Sequence, residues 1–117
     1  MFASMKSPGD FSYAFEKVRN AIASSEKRDA DFAKDTGLEI LRRNYALFRQ
    51  ELSDAGELGN HEYDLDTYDH CINVLHQYFE GNPGGLTERD ARVYSQYLQT
   101  EHDGFAELAE ELSLGRD

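Results

Sequence analysis

The sequence predicts an all-α protein, a four-helix bundle or a close variant of one, and three observations lead to this fold class. Apolar residues recur at spacings of three and four along most of the chain, which indicates amphipathic helices. No alternating run of β-branched residues exceeds three positions, so strands are not expected. The two prolines, Pro8 and Pro83, fall outside the predicted helices. A chain of 117 residues suffices for one core, so residues 10–115 are predicted to form a single helical domain after a flexible N-terminus at residues 1–9.

The first helix is predicted to begin after Asp10, which is a good N-cap residue. Its apolar residues fall at i, i+3, i+4 and i+7 spacing and form one stripe that would face the core. The stripe consists of Phe11, Ala14, Phe15, Val18, Ala21 and Ile22.

The second helical pattern covers roughly residues 30–52, and Gly37 leaves two alternatives open for its start. In the first, one long helix tolerates Gly37. In the second, the helix breaks near Thr36, which opens a capping box with Glu39. If the long helix forms, its small residues would permit a close approach to another helix: Ala30, Ala33 and Gly37.

The third helix is predicted to follow a loop at residues 55–65, which contains glycines and little periodicity. It would begin at about Asp66 or Thr67 and end near Gly81, with Pro83 just beyond. Its predicted apolar face consists of Tyr68, Cys71, Ile72, Leu75, Tyr78 and Phe79.

The fourth helix has the clearest predicted start, because Thr87 can cap it and Asp90 occupies the third helical position. Gly104 leaves open whether this helix is continuous, bent or split, since an interior glycine costs about 1 kcal/mol relative to alanine. Its predicted apolar stripe consists of Tyr94, Tyr97, Leu98, Phe105, Leu108 and Leu112.

The charge of the chain is divided very unequally between its two parts. Residues 1–50 carry seven acids and nine bases, whereas residues 51–117 carry sixteen acids and three bases, which gives +2 and −13 and a net charge of −11. This charge argues against direct binding to nucleic acid or to an anionic membrane surface, since both would be repelled. It favours a partner protein with a basic surface.

The sharpest charge anomaly lies in the fourth helix, where four acids fall within about 100° of arc opposite the apolar stripe. Acids near the end of a helix oppose the helix dipole, so local stability does not select them. We interpret these four acids as an acidic ridge that binds a partner, together with acids before and within the third helix. The competing interpretation is a solvated face that serves solubility. The predicted partner-binding residues are Asp64, Asp66, Asp69, Asp103, Glu107, Glu110 and Glu111.

Glu101 is predicted to be a buried polar residue if the fourth helix is continuous, because it lies in line with Leu98 and Phe105. A buried carboxylate must be paired, hydrogen-bonded or neutral. It is therefore either half of an ion pair at the edge of the core or a carboxylate with a raised pKa that lines a pocket.

The segment from His61 to His70 contains six residues of metal-ligating type, which gives an alternative metal-binding interpretation. In that reading zinc is bound by His61, Asp66 and His70, with Glu101 or His102 completing the site. The segment has no HExxH, paired CxxC or EF-hand pattern, so the first interpretation includes no metal and no cofactor.

The single cysteine, Cys71, cannot form an internal disulfide and is predicted to be a small core residue. With no membrane span and no secretory signal in the sequence, the predicted location is the cytoplasm. No Ser/His/Asp order, nucleotide loop or haem motif predicts an enzyme.

These observations predict a small acidic, non-catalytic interaction protein, such as a regulator, an inhibitor or an immunity-type protein, that binds a basic protein surface. Imitation of nucleic acid is a special case of this function. The alternatives are the metal-binding helical protein and a structural subunit of a larger complex. The oligomeric state is left open.

Overall fold

The computed structural model describes residues 8–24 and 26–115 and confirms the predicted all-α fold. The first helix begins at Pro8 rather than after Asp10, because proline is well tolerated in the first turn of a helix. Of the predicted flexible N-terminus, residues 1–7 lie outside the described residues, and residues 8 and 9 belong to the first helix. The elements are α1 (Pro8–Ala23), α2 (Lys27–Phe32), a π-helical turn (Ala33–Gly37), α3 (Leu38–Asp54), a 3₁₀ turn (Leu58–Asn60), α4 (Glu62–Phe79) and α5 (Glu88–Gly115).

The helices form an up-down-up-down bundle. The ring centroids of Phe48 in α3 and Phe105 in α5 lie 5.2 Å apart, and an earlier residue of α3, Asn44, contacts an earlier residue of α5, His102, so these two helices run in parallel. The start of α4 lies beside the second half of α5, where the His61 and Phe105 rings are 6.5 Å apart. Helices α1 and α4 therefore run opposite to α3 and α5, as expected for a bundle with short connections.

Helix α2, the π-helical turn and α3 follow one another without a break and form one long helix, which is the first of the two alternatives. The chain stays helical at Thr36 and Gly37, so the helix does not break there. The π-helical turn inserts one residue into the helix and shifts the phase of its apolar stripe. Both Ala33 and Gly37 thereby become buried. A Cβ atom added to Gly37 would lie 3.4 Å from the Ala14 carbonyl oxygen and 3.4 Å from Val18 Cγ2, so this glycine permits the close approach of α1 that the sequence predicts.

Helix α4 begins at Glu62, several residues before the predicted start, so residues 62–65 of the predicted loop are helical, and the 3₁₀ turn covers three more of its residues. Thr67 does not cap the helix, because its hydroxyl donates to the Tyr63 carbonyl oxygen within the helix (3.0 Å). Glu62 and Asp64 favour the earlier start, since acids in a first turn complement the helix dipole. The predicted end is confirmed, with Gly81 at a φ of +82°.

Helix α5 starts as predicted: the Asp90 amide donates to the Thr87 hydroxyl over 3.1 Å. It is continuous through Gly104, at which an added Cβ would meet nothing within 4 Å. The prediction that Tyr97 belongs to the apolar stripe is wrong, because this side chain is 59% exposed. Its place in the core is taken by residues that the predicted stripe omitted: Ala91, Ser95, His102 and Ala109.

Candidate functional site

Acidic residues are concentrated at one end of the bundle. The end of α3, the start of α4 and the second half of α5 meet there, through residues 51–66 and 101–111. These two segments carry eleven acids and no Lys or Arg, and we call them the acidic end. Arg49 of α3 lies next to it, because its neighbour Phe48 contacts Phe105. Its acids are Glu51, Asp54, Glu57, Glu62, Asp64, Asp66, Glu101, Asp103, Glu107, Glu110 and Glu111.

Ten of these eleven acids face solvent wholly or in part, while Glu51 is buried. Asp54 accepts a hydrogen bond from the Gln50 side-chain amide (2.8 Å), and Glu57 accepts one from the Asn60 side-chain amide (2.7 Å). Both donors are neutral. Within the described part of the chain, none of the ten forms an ion pair, so their charge is available to a partner.

Several cations elsewhere in the bundle pair with acids one turn away on the same helix. Arg43 pairs with Glu39 (3.3 Å), and Lys27 pairs with Asp31 (2.8 Å). These are exposed i,i+4 pairs, each of which stabilises a helix by about 0.3–0.5 kcal/mol. They do not involve the acids of the acidic end.

Helix polarity affects the acids of this end differently. Those at the start of α4, such as Glu62, stabilise a helix N-terminus. Asp54 lies in the last turn of α3, where an exposed acid opposes the helix dipole and costs about 0.3–1 kcal/mol. The cost expected for the acids of α5 does not apply, because this helix continues to Gly115 and its last turn lies beyond Glu111. Fold stability therefore explains the acids at the start of α4 and gives no reason for those of α5.

A shallow groove of about 190 Å³ crosses the acidic end between α4 and α5. Two carboxylates form part of its walls, and its apolar lining comes from α5. Gly104 keeps it open, because no Cβ projects from this position. The lining residues are His61, Asp64, Glu101, Gly104, Phe105 and Leu108.

Glu101 lies at the edge of the core and is only partly buried, so the prediction of a buried residue is wrong. The buried position on this face falls one residue later, at His102, because the helix turns about 100° per residue. Burial, and then the negative charge of Asp64, raise the pKa of Glu101 above its usual value. Of the two roles that the sequence allowed for Glu101, this arrangement matches a carboxylate with a raised pKa that lines a pocket.

Most of the predicted partner-binding acids lie at the acidic end. Asp64 borders the groove, and five others are exposed around it. Asp69 lies outside the acidic end. Its side chain accepts a hydrogen bond from Asn73 (3.3 Å), and the side-chain oxygen of Asn73 accepts one from Arg42 (3.4 Å). The five exposed acids are Asp66, Asp103, Glu107, Glu110 and Glu111.

The structure does not assemble the alternative metal site. Among the described residues, no group of three or more His, Cys, Asp or Glu side chains is arranged to hold a metal ion. His61 and His70 both lie against α5 but at different levels: the His61 ring is 6.5 Å from that of Phe105, and the His70 ring is 5.9 Å from that of Tyr94. Eleven residues of α5 separate these two contacts, roughly 16 Å along the helix.

His102 is one of four polar residues that are buried in the described part of the chain and that the sequence pattern did not indicate; the others are Asn44, Glu51 and Ser95. The His102 side chain is 3% exposed, with ring centroids of Phe11 and Phe15 at 4.4 and 5.4 Å. The Asn44 side-chain amide lies 3.2 Å from its Nδ1, and the Tyr68 hydroxyl lies 3.1 Å from the same atom. Burial lowers the pKa of His102 to about 4, so the ring is neutral at pH 7. The spacing of four from Leu98 and three to Phe105 was the signal that could have revealed it.

Cys71 is buried among core residues, as predicted. Burial, and then the negative charge of Glu101, raise the pKa of its thiol to about 11. Because the thiolate is the reactive form, this cysteine is a poor nucleophile near neutral pH.

In the part of the chain that the structure describes, no helix has both the length and the apolar character needed to cross a lipid bilayer. Comparison with protein-family models, curated proteins and solved structures found no match. What this protein does must therefore be argued from the side chains of the site itself.

Proposed function

We propose that this chain is a non-catalytic interaction protein of the cytoplasm, a regulator, inhibitor or immunity-type protein whose acidic end binds a basic surface of a partner protein. One observation carries the proposal: eleven acids lie at one end in two segments without Lys or Arg, and ten of them are solvent-facing and without ion pairs among the described residues. A concentrated field of one sign steers a complementary partner and rejects others. Nucleic-acid mimicry is the special case in which DNA or RNA competes with this end for the partner.

The groove at the acidic end suits a single arginine or lysine of the partner. Phe105 and Leu108 would pack against the methylene groups of that side chain, while Asp64 and Glu101 would accept hydrogen bonds from its cationic head. A bound cation would also favour the ionised form of Glu101, whose pKa is raised in the free protein. Binding is therefore expected to weaken as the pH falls through the pKa of Glu101.

The proposal is tested with two triple variants that change the net charge equally. One neutralises exposed acids of the ridge on α5, and the control neutralises exposed acids outside the acidic end. Both are used to capture partners from the native host at low and at high salt, with circular dichroism as the check on folding. The variants are E107Q/E110Q/E111Q and E16Q/D35N/D90N.

The ridge variant is expected to lose the partner, or to slow its association about 10-fold at low salt, while the control variant behaves like the unmodified protein. High salt should weaken capture in every case, because exposed charges are screened. Equal capture by both variants, or capture that ignores salt, would refute the proposal.

The role of the groove is tested by Glu101→Gln against Glu107→Gln, which makes the same change of charge on the same helix outside the groove. We expect Glu101→Gln to weaken partner binding at least about 5-fold more than the control, since a cation loses a hydrogen-bonded carboxylate. It should also remove the pH dependence described above. Identical affinities and pH profiles of the two variants would exclude the groove.

A second candidate function, a structural subunit of a larger complex, is favoured by an exposed apolar pair on α5. Val93 and Tyr97 are 40% and 59% exposed and lie one turn apart. Tyrosine is among the residues enriched at protein interfaces. Mass measurement in solution tests this function: an assembly that dissociates in Tyr97→Ser would support it, and a monomer in the native host extract would exclude it.

A further inference from the structure

A second groove lies between α1 and α2 and has the reverse character of the acidic end. Its volume is about 590 Å³, within the range of ligand-binding clefts. Tyr13 of α1 and Phe32 of α2 both line it and pack edge to face against each other, with ring centroids 6.2 Å apart and planes at 83°. Lys17 and Arg28 also line this groove. We call it the aromatic groove.

The two aromatic rings are unusually open to solvent. Tyr13 is 42% exposed and Phe32 is 41% exposed, although both are large side chains that a core would accept. Phe32 has no polar atom, so water does not stabilise its exposed surface by hydrogen bonding. Paired, partly exposed aromatic residues in a concave site are typical anchors for a partner side chain.

One cation of the aromatic groove, Lys17, is not paired with an acid in the part of the chain that the structure describes. Lys17 Nζ lies 5.3 Å from the Tyr13 ring centroid and 6.0 Å from that of Phe32, and it has no ion pair among the described residues. Asp29 also lines the groove and keeps its charge, because the Ser24 hydroxyl that donates to it (2.6 Å) is neutral. Arg28 pairs with Glu26 (2.7 Å), so Lys17 is the cation of the described lining residues that is left for a partner.

We propose that the aromatic groove binds an acidic peptide segment of a partner protein that carries one aromatic side chain. The aromatic side chain would pack against the exposed surfaces of Tyr13 and Phe32, and a flanking carboxylate would pair with Lys17. Charge complementarity supports this occupant over a nucleic-acid strand, because Lys17 is the unpaired cation of the described lining residues, whereas a strand needs a row of cations along its backbone.

The probe for this site is the synthetic peptide acetyl-Glu-Glu-Phe-Glu-Glu-amide, titrated into ¹⁵N-labelled protein and followed by NMR. Shifts should concentrate on the amides of Tyr13, Lys17 and Phe32, with a Kd on the order of 0.1–1 mM for an open groove of this kind. Two control peptides replace Phe by Ala or each Glu by Lys. Both should bind at least about 10-fold more weakly, since each lacks one of the two required features.

Matched protein variants show whether the groove itself is responsible. Lys17→Glu should weaken the peptide about 30-fold, because an attraction between adjacent charges becomes a repulsion. The control Arg89→Glu reverses an exposed cation that does not line the groove and should leave binding within about 2-fold. Phe32→Ser, checked for folding by circular dichroism, tests the apolar half and should weaken binding about 10-fold.

Four results would overturn the proposal. The first is no shift at these amides with the peptide at about 5 mM, and the second is an equal loss in Arg89→Glu and Lys17→Glu. The third is tighter binding of an oligothymidine than of the peptide at the same amides, which would assign the groove to nucleic acid. The fourth is concentration-dependent self-association that Lys17→Glu abolishes, which would assign it to a second copy of the chain.

Discussion

Acid is expected to destabilise this protein through one side chain, His102. In the fold, burial lowers the pKa of His102 to about 4, whereas an unfolded histidine titrates near pH 6.5. Between these two pH values the unfolded chain binds one more proton than the folded protein. The stabilisation is therefore complete above pH 6.5 and is lost as the pH falls towards 4. At about 1.4 kcal/mol per pKa unit, about 3 kcal/mol of the free energy of unfolding depends on this one ring.

The assay is urea unfolding at a series of pH values from 7.5 to about 4.5, with His102→Gln compared with the unmodified protein. The variant is less stable at pH 7, but the informative quantity is the difference between the two proteins, which should shrink by most of about 3 kcal/mol as the pH falls. His70→Gln, which removes an exposed histidine, is the control and should keep the full pH dependence.

Glu101 works in the opposite direction, because a raised pKa in the fold favours folding as the pH falls. Both proteins contain Glu101, so its contribution cancels in the difference. A difference between the unmodified protein and His102→Gln that is the same at pH 7 and at pH 4.5 would refute the reasoning. So would a His70→Gln protein that loses the dependence equally.

Three further outcomes follow from the same contacts. Tyr68→Phe removes a hydroxyl that lies 3.3 Å from the Leu41 carbonyl oxygen and is expected to cost about 1–2 kcal/mol in urea unfolding. Gly104→Ala should stabilise the protein by about 0.5–1 kcal/mol, because alanine has the higher helix propensity and its Cβ would meet no neighbour. Gly37→Leu should instead cost about 1–3 kcal/mol by overpacking against α1, and thermal melts of the two variants will distinguish these outcomes. Thr87→Ala should cost about 1 kcal/mol by removing the cap of α5, and Thr87→Ser should restore most of it in the same melts.

The helices could be predicted from the sequence because their apolar spacing and their caps are local signals. Thr87 and Asp90 determine the start of α5 within four residues of chain, and the structure confirms the hydrogen bond. The π-helical turn at Gly37 could not be predicted in this way. It depends on α1, whose Ala14 carbonyl oxygen and Val18 side chain lie close enough to Gly37 that a small residue and a shifted helical phase are needed there.

The exposed acids were predictable as a ridge, but their concentration at one end required the topology. Segments 51–66 and 101–111 are far apart in the chain, and only the antiparallel packing of α4 on α5 brings them together. The sequence predicted that Glu101 would be buried, whereas the buried residue is His102, and the reason is related. Both residues are at helical spacing from Leu98, and the packing of α1 and α3 decides which of them the core encloses.

The segregation of charge also determines how this molecule meets a positively charged surface. Because eleven acids are concentrated at the acidic end, the centre of negative charge is displaced from the centre of mass along a body 48 Å long. On an anion-exchange matrix or a cationic sensor chip the protein should therefore adsorb in one orientation, acidic end down, and more tightly than a protein with an evenly distributed charge of −11. Immobilisation by charge alone would thus give an ordered layer, with the first turns of α5 facing the solution.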